Sequence, residues 1–150
     1  MFTKGAVPRP AFFLGWAGVL PFALLTAATV LGLKPLSLDA RAALLAYGAA
    51  ILSFLGGAQW GVLLPRSQEE TSLLWRYGVS VLPALLAFLC LLAPHRLGLL
   101  GLAVGLMALL AYDLSTVRRG LAPVWYGTLR IQLTGAVVIL LVIAGFIPNS

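Results

Sequence analysis

The amino-acid sequence predicts an all-α membrane protein: a polytopic helical bundle with five transmembrane helices. Of its 150 residues, 61% are hydrophobic and 9% are charged, whereas a soluble domain has about a quarter of its residues charged to cover its surface. The hydrophobic residues are also gathered into long stretches that are separated by short polar breaks. This pattern is typical of helices that cross the roughly 30 Å hydrocarbon core of a membrane.

Each of the five stretches is long enough to span that core at a rise of about 1.5 Å per residue. We expect one integral membrane domain over residues 1–150, with spans at about 11–33, 40–64, 73–93, 97–115 and 126–147. The first stretch is longer than the apolar region of a signal peptide, so we expect it to be retained as a span. Asp39 stands directly before the second stretch and is expected to cap that helix.

The distribution of Lys and Arg predicts how the spans are oriented. Short loops on the cytoplasmic side of a membrane protein carry an excess of these residues. If the chain crosses the membrane five times, seven of its ten Lys and Arg residues lie on the side of the N-terminus and three lie on the other side. The seven are Lys4, Arg9, Arg66, Arg76, Arg118, Arg119 and Arg130, and the three are Lys34, Arg41 and Arg96. We therefore expect a cytoplasmic N-terminus and an external C-terminus. The segment before the first span does not resemble a mitochondrial presequence, which favours a bacterial inner membrane.

The charged and reactive residues argue against several classes of function. The net charge is +6, but the basic residues are scattered and form no run longer than Arg118–Arg119, so we expect no nucleic-acid partner. Cys90 and His95 are the only residues of their types, and we therefore expect neither a disulfide nor a metal site. The sequence contains no nucleophile and base at recognisable spacing and no phosphate-binding loop. We expect a protein without cofactor that is not an enzyme.

Small residues recur at a spacing of four in two of the predicted helices. In a membrane such residues let helix backbones approach one another, because lipid provides no hydrophobic drive for association. The predicted packing residues are Ala49, Ser53, Gly57 and Gly61 in the second span, with Gly101 and Gly105 in the fourth. The pattern leaves open whether the partner helix lies in the same chain or in a second copy of it.

Polar and aromatic residues converge on the half of the bundle that is predicted to be cytoplasmic. The members of this cluster are Gln59, Trp60, Tyr112, Asp113, Trp125, Tyr126, Arg130 and Gln132. Asp113 and Arg130 would be costly in hydrocarbon without a partner, so we expect them to pair or to share a pocket with Gln59 and Gln132. In the alternative, Asp113 caps its helix among the headgroups and Arg130 extends to a phosphate.

Three segments of the chain carry a family resemblance. They are Pro8-Arg9 with Leu14-Gly15-x-x-Gly18-x-x-Pro21-Phe22; Tyr47-Gly48 with Leu52-Ser53-Phe54-Leu55-Gly56-Gly57-x-x-Trp60-Gly61; and Pro123-x-Trp125-Tyr126-x-x-Leu129-Arg130-x-x-x-Thr134. The chain resembles the transmembrane-protein-69-like family of bacteria and mitochondria, and the likeness covers nearly its whole length. The resemblance implies a compact multispan inner-membrane protein and implies no particular reaction or substrate.

Two classes of function are consistent with these observations. In the first, the chain is a non-enzymatic protein of the lipid bilayer that assists or associates with other membrane components, including copies of itself. In the second, the polar and aromatic cluster lines a pocket that opens toward the cytoplasm and binds a small amphipathic molecule. A variant of the second uses Asp113 for proton-coupled transport.

Overall fold

The computed structural model describes residues 7–33, 39–63 and 70–147, with side chains for all of these except 60–63 and 70–76. Five helices account for nearly all of these residues. They are α1 (Arg9–Val30), α2 (Ala40–Leu63), α3 (Glu70–Leu92), α4 (His95–Arg118) and α5 (Val124–Phe146). Within the described residues, α1, α2, α4 and α5 are long and apolar enough to cross a membrane, and α3 contains a shorter apolar stretch, Tyr77–Leu92. The prediction of an all-α membrane bundle of five helices is confirmed.

Proline sets where three of the helices begin. Pro8, Pro94 and Pro123 each directly precede the first residue of a helix. A proline at this position loses nothing, because the first N–H groups of a helix have no partner within the helix. The helices therefore start two residues before the apolar stretches that predict them, and α4 also continues three residues beyond its stretch to Arg118. Hydropathy marks the part of a helix that lies in lipid, whereas backbone chemistry marks its ends.

The five helices form a closed ring in which each helix contacts its neighbours in sequence and α5 contacts α1. A further contact between α2 and α4 crosses the ring and fills its centre. Leu44 and Leu52 of α2 pack there with Leu99, Leu102 and Leu106 of α4, and all five are at most 2% exposed. Because the connections are short, successive helices run in opposite directions and bring the end of α2, the end of α4 and the start of α5 together.

Glycines allow the central helices to approach closely. A methyl group on Gly105 would lie 2.7 Å from Leu86 and 2.9 Å from Leu52. One on Gly101 would lie 2.7 Å from the Cys90 sulfur, and one on Gly98 would collide with the Cys90 carbonyl oxygen. The α4 helix therefore presents a smooth face to α2 and α3, as expected where packing and not hydrophobicity holds membrane helices together.

Close packing of α2 against α3 depends on Gly56, which directly precedes the predicted packing residue Gly57. Gly56 faces the Pro83 ring and the Ser80 carbonyl oxygen, each 2.9 Å from where its methyl group would be. Gly57, one residue further, has no atom of the described residues within 4 Å of where its methyl group would be. Ala49 is buried in the core, and the Ser53 hydroxyl donates a hydrogen bond to the Ala49 carbonyl oxygen. Gly61 lies among the residues whose side-chain positions are not described.

Polar contacts join the helices at the end of the bundle opposite to the predicted polar cluster. Asp39 accepts hydrogen bonds from the N–H groups of Arg41 and Ala42 at 2.9 and 3.4 Å, so its predicted role as the cap of α2 is confirmed. The Arg41 guanidinium donates to the Ile147 carbonyl oxygen at 2.9 Å. This bond ties the start of α2 to the end of α5, whose last carbonyl groups have no partner within the helix.

We predict that Gly98→Ala destabilises the bundle by about 1–3 kcal/mol, because the added methyl group meets a backbone carbonyl that cannot move without shifting α3. Gly57→Ala is the matched control, since it places the same methyl group in open space within a helix. Thermal unfolding in a mild detergent measures both. Equal midpoints for the two variants would show that the close approach of α3 and α4 contributes nothing to stability.

The predicted orientation, with a cytoplasmic N-terminus, has its own test in bacterial cells. His95 and Arg119 are both exposed and lie at opposite ends of α4. In a Cys90→Ala background, a membrane-impermeant maleimide should label His95→Cys in intact cells and Arg119→Cys only after permeabilisation. The reverse pattern would overturn the orientation.

Candidate functional site

A tight turn between α4 and α5 places an acidic and a basic side chain opposite one another. Gly120 ends α4 with a φ of 70°, a left-handed conformation that glycine adopts without strain. The N–H of Leu121 then bonds the Thr116 carbonyl oxygen at 3.0 Å, which closes the helix end. Asp113 lies about two turns before this reversal and Arg130 about two turns after the start of α5. Their side chains therefore meet inside the bundle.

Asp113 and Arg130 form a buried ion pair at this position. The Arg130 Nε donates to the Asp113 Oδ2 at 2.6 Å. The second carboxylate oxygen, Oδ1, accepts a hydrogen bond from the Gln59 Nε2 at 2.6 Å. Asp113 is 1% exposed, and Gln59 and Arg130 are each 6% exposed. A carboxylate alone would be costly in this low-dielectric interior. Here it is compensated by one cation, Arg130, and one neutral donor, Gln59.

Tyr126 adds a third polar group beside the carboxylate. It lies one turn before Arg130 on α5, and its half-buried side chain lies near the Asp113 carboxylate. Helices α2, α4 and α5 thus all contribute to one network around a single carboxylate. Because each partner comes from a different helix or a different turn, the network fixes how these helix ends are arranged.

Two polar atoms next to the network have no partner. The Arg130 Nη2 and the Thr134 hydroxyl oxygen are both buried, and neither makes a hydrogen bond within the described part of the chain. Thr134 is 3% exposed and lies one helical turn beyond Arg130 on the same face of α5. Buried groups of this kind are normally hydrogen-bonded, since leaving one unsatisfied costs about 1–3 kcal/mol. Within the described chain, the Arg130 Nη2 and the Thr134 hydroxyl are exceptions to this rule.

The residues that carry these two atoms, Arg130 and Thr134, both line a cleft of about 170 Å³ between α1, α2 and α5. Its other walls are apolar: Leu14, Gly15, Gly18, Val19, Phe22, Ile51, Phe54, Leu55, Leu106, Leu133 and Val137. Leu14 and Phe54 are 74% and 69% exposed, so the cleft opens on the outer surface of the bundle, where lipid lies. Tyr47 holds the walls together through a hydrogen bond of 3.0 Å from its hydroxyl to the Gly18 carbonyl oxygen.

The residues of the predicted polar cluster are not all placed together. Gln59, Asp113, Tyr126 and Arg130 form the network described above. The rest are distributed as follows: Tyr112 and Trp125 are half-buried, Gln132 is exposed on the outside of α5, and the side chain of Trp60 lies outside the described residues. Arg130 is the member of this cluster that also lines the cleft.

The sequence did not predict the cleft, and it did not identify Thr134 as a site residue. The available signal was the spacing of Arg130 and Thr134, which puts a threonine one turn from a buried cation on the same helix face. The contribution of α1 had no signal, because the residues that line the cleft there are apolar or glycine. Among the side chains that the structure describes, which exclude 60–63 and 70–76, no three His, Cys, Asp or Glu residues lie close enough together to hold a metal ion.

Breaking the ion pair from one side should destabilise the protein more than removing both charges. We predict that Arg130→Gln lowers stability by about 3–5 kcal/mol, because it leaves the Asp113 carboxylate buried without a cation. Combining it with Asp113→Asn should restore much of the loss, measured by unfolding in mild detergent. Arg119→Gln, at an exposed position, should change stability by less than about 0.5 kcal/mol. Strictly additive losses in the double variant would argue against a coupled pair.

The chain is similar to vertebrate membrane proteins. It is 37% identical over 146 residues to "Transmembrane protein 69" of Xenopus tropicalis, covering 95% of this chain and 55% of the frog protein. It is 31% identical over 147 residues to "Transmembrane protein 69" of Mus musculus, covering 95% of this chain and 58% of the mouse protein. The chain thus spans a little over half the length of the curated relatives that it matches. No solved structure matches it.

A family model described as "Protein of unknown function (DUF3429)" matches residues 7–146. This range runs from the start of the described chain to the last residue of α5, so it includes all five helices and the whole polar network. The predicted resemblance to the transmembrane-protein-69-like family is confirmed. The chain belongs to the DUF3429 family of multi-pass membrane proteins of unknown function.

Proposed function

We propose that this chain is a non-enzymatic membrane protein that binds a small amphipathic molecule in the cleft between α1, α2 and α5. The observation that carries the proposal is the pair of buried, unpartnered donors, Arg130 Nη2 and the Thr134 hydroxyl, beside a cleft with apolar walls. Sites for small molecules commonly combine apolar walls with a few polar groups that orient the ligand.

The shape of the cleft supports a ligand that enters from the membrane. Apolar residues of α1 and α2 at its mouth are exposed on the outside of the bundle, where an acyl or prenyl tail would lie beside them. The polar groups lie at the α5 wall, two to three turns inside that helix. A molecule with one polar head and one apolar tail satisfies both regions at once.

Association with other membrane proteins has less support from the described residues. The predicted packing residues Ala49, Gly101 and Gly105 face partners within the same chain and are therefore used for folding. Of the predicted set, Gly57 has open space beside it. One glycine does not form the continuous strip of small residues on which association of membrane helices depends.

Proton-coupled transport through Asp113 is also less well supported. Both of its carboxylate oxygens accept short hydrogen bonds, one from Gln59 and one from Arg130. A proton carrier must instead release and accept its proton as the transporter changes state. The network is therefore suited to holding a fixed charge in place, and the same rigidity positions the Arg130 Nη2 toward a ligand. We propose the bacterial inner membrane as the location, and the bias of basic residues toward one side supports a cytoplasmic N-terminus there.

The proposal is tested by filling the cleft without touching its polar groups. Gly18 lines the cleft and has no atom within 4 Å of where a side chain would begin. We expect Gly18→Leu to block the cleft and reduce binding of sixteen-carbon probes by about tenfold or more, since it removes most of the apolar contact. Native mass spectrometry in a nonionic detergent counts the bound chains of palmitate and methyl palmitate together.

Gly57→Leu is the matched control. It adds the same side chain at an open glycine that does not line the cleft, so the number of bound chains should equal that of the unaltered protein. Thermal unfolding of both variants shows that each is folded. The proposal fails if the unaltered protein binds neither probe, or if Gly18→Leu binds as well as Gly57→Leu.

A further inference from the structure

We infer that the molecule bound in the cleft is an acyl lipid whose head is an uncharged ester carbonyl and not a carboxylate or phosphate. This inference rests on the proposed function and specifies the class of ligand. Its starting point is the balance of charge around the cleft. Among the polar groups that line it, Arg130 carries the one formal charge, and that charge is already matched by Asp113 at 2.6 Å.

An anionic head would disturb this balance. It would approach the Arg130 Nη2, while the Asp113 carboxylate lies on the Nε side of the same guanidinium. One cation would then serve two anions, both removed from water. Desolvation of a second charge is costly, and its attraction to Arg130 is reduced by repulsion from Asp113. A neutral oxygen has no charge to desolvate and is not repelled by Asp113 as an anion is, yet it still accepts a hydrogen bond from the charged guanidinium.

The number of free donors matches a carbonyl oxygen. Arg130 Nη2 and the Thr134 hydroxyl are two donors on one helix face, and a carbonyl oxygen has two lone pairs with which to accept from both. The Thr134 hydroxyl has no partner within the described protein, so its use by a ligand breaks no existing bond. The head therefore completes the hydrogen bonding of the site without altering the network around Asp113.

The walls next to these donors favour an acyl chain over a bulky ring. Gly15 faces the Leu133 side chain so closely that even a methyl group there would lie 2.7 Å from it. Leu133 and Gly15 both line the cleft beside Arg130 and Thr134. Because Gly15 and Leu133 are in direct contact, the cleft is narrow at this wall and suits a linear chain better than a ring. Its mouth, beside the exposed side chains of Leu14 and Phe54, lets the chain continue into the lipid.

Probes with the same tail and different heads test this inference by native mass spectrometry at pH 9. They are methyl palmitate with its neutral ester, palmitate in its ionised form, and hexadecane with no head. We expect methyl palmitate to bind at least about tenfold more tightly than ionised palmitate, because the anion must lose its hydration without a free cation. Decylubiquinone, which carries its carbonyl groups on a ring, should bind more weakly than methyl palmitate.

Thr134→Val separates a role for the hydroxyl from a role in packing, because valine has nearly the same shape. It should lower the affinity for methyl palmitate by about three- to tenfold, which is the contribution of one hydrogen bond. The affinity for hexadecane should be unchanged. Thr134→Ser, which keeps the hydroxyl, should retain the affinity for methyl palmitate.

The outcomes distinguish this inference from the proposed function. If palmitate or decylubiquinone binds more tightly than methyl palmitate, and Gly18→Leu still blocks it, the cleft binds amphipathic molecules but the ester assignment is wrong. The assignment is equally wrong if Thr134→Val leaves methyl palmitate binding unchanged. If no probe binds the unaltered protein, the proposed function itself fails.

Discussion

The ion pair between Asp113 and Arg130 is the interaction on which the rest of the site depends. Its two members come from α4 and α5, and Gln59 of α2 completes the coordination of the carboxylate. Neither charge can be buried alone in an apolar bundle, so each helix end is held where its partner requires it. Such a pair contributes little net stability against an apolar replacement, but it strongly disfavours arrangements in which one partner is lost.

Fixing the Nε of Arg130 on Asp113 also decides what the remainder of the guanidinium can do. Arg130 and Thr134 both line the cleft, one helical turn apart, and within the described residues neither the Arg130 Nη2 nor the Thr134 hydroxyl has a partner. The protein thereby maintains two oriented donors in an otherwise apolar groove, at a cost in folding free energy that a bound acceptor would recover. Preorganised donors favour binding, because little conformational entropy is lost when the ligand binds.

Much of the fold was predictable from the sequence, and the site was predictable only in part. The lengths of the apolar stretches are dictated by the bilayer, so five helices could be counted directly. Asp113 and Arg130 stood out because charge is rare and costly in such stretches. The cleft did not stand out, because it arises where α1 meets α2 and α5. Apart from Arg130 and Thr134, it is lined by glycine, aliphatic and phenylalanine residues that look like any lipid-facing surface. Gly56 and Gly57 illustrate the same limit, since only the packing of α3 distinguishes them.

An experimental structure of the protein in lipid nanodiscs tests this account most directly. The account predicts elongated density between α1, α2 and α5, with a polar end within hydrogen-bonding distance, about 3 Å, of both Arg130 Nη2 and the Thr134 hydroxyl. It would be contradicted by a cleft closed by its own side chains, with these two groups bonded to the protein and no density between the helices.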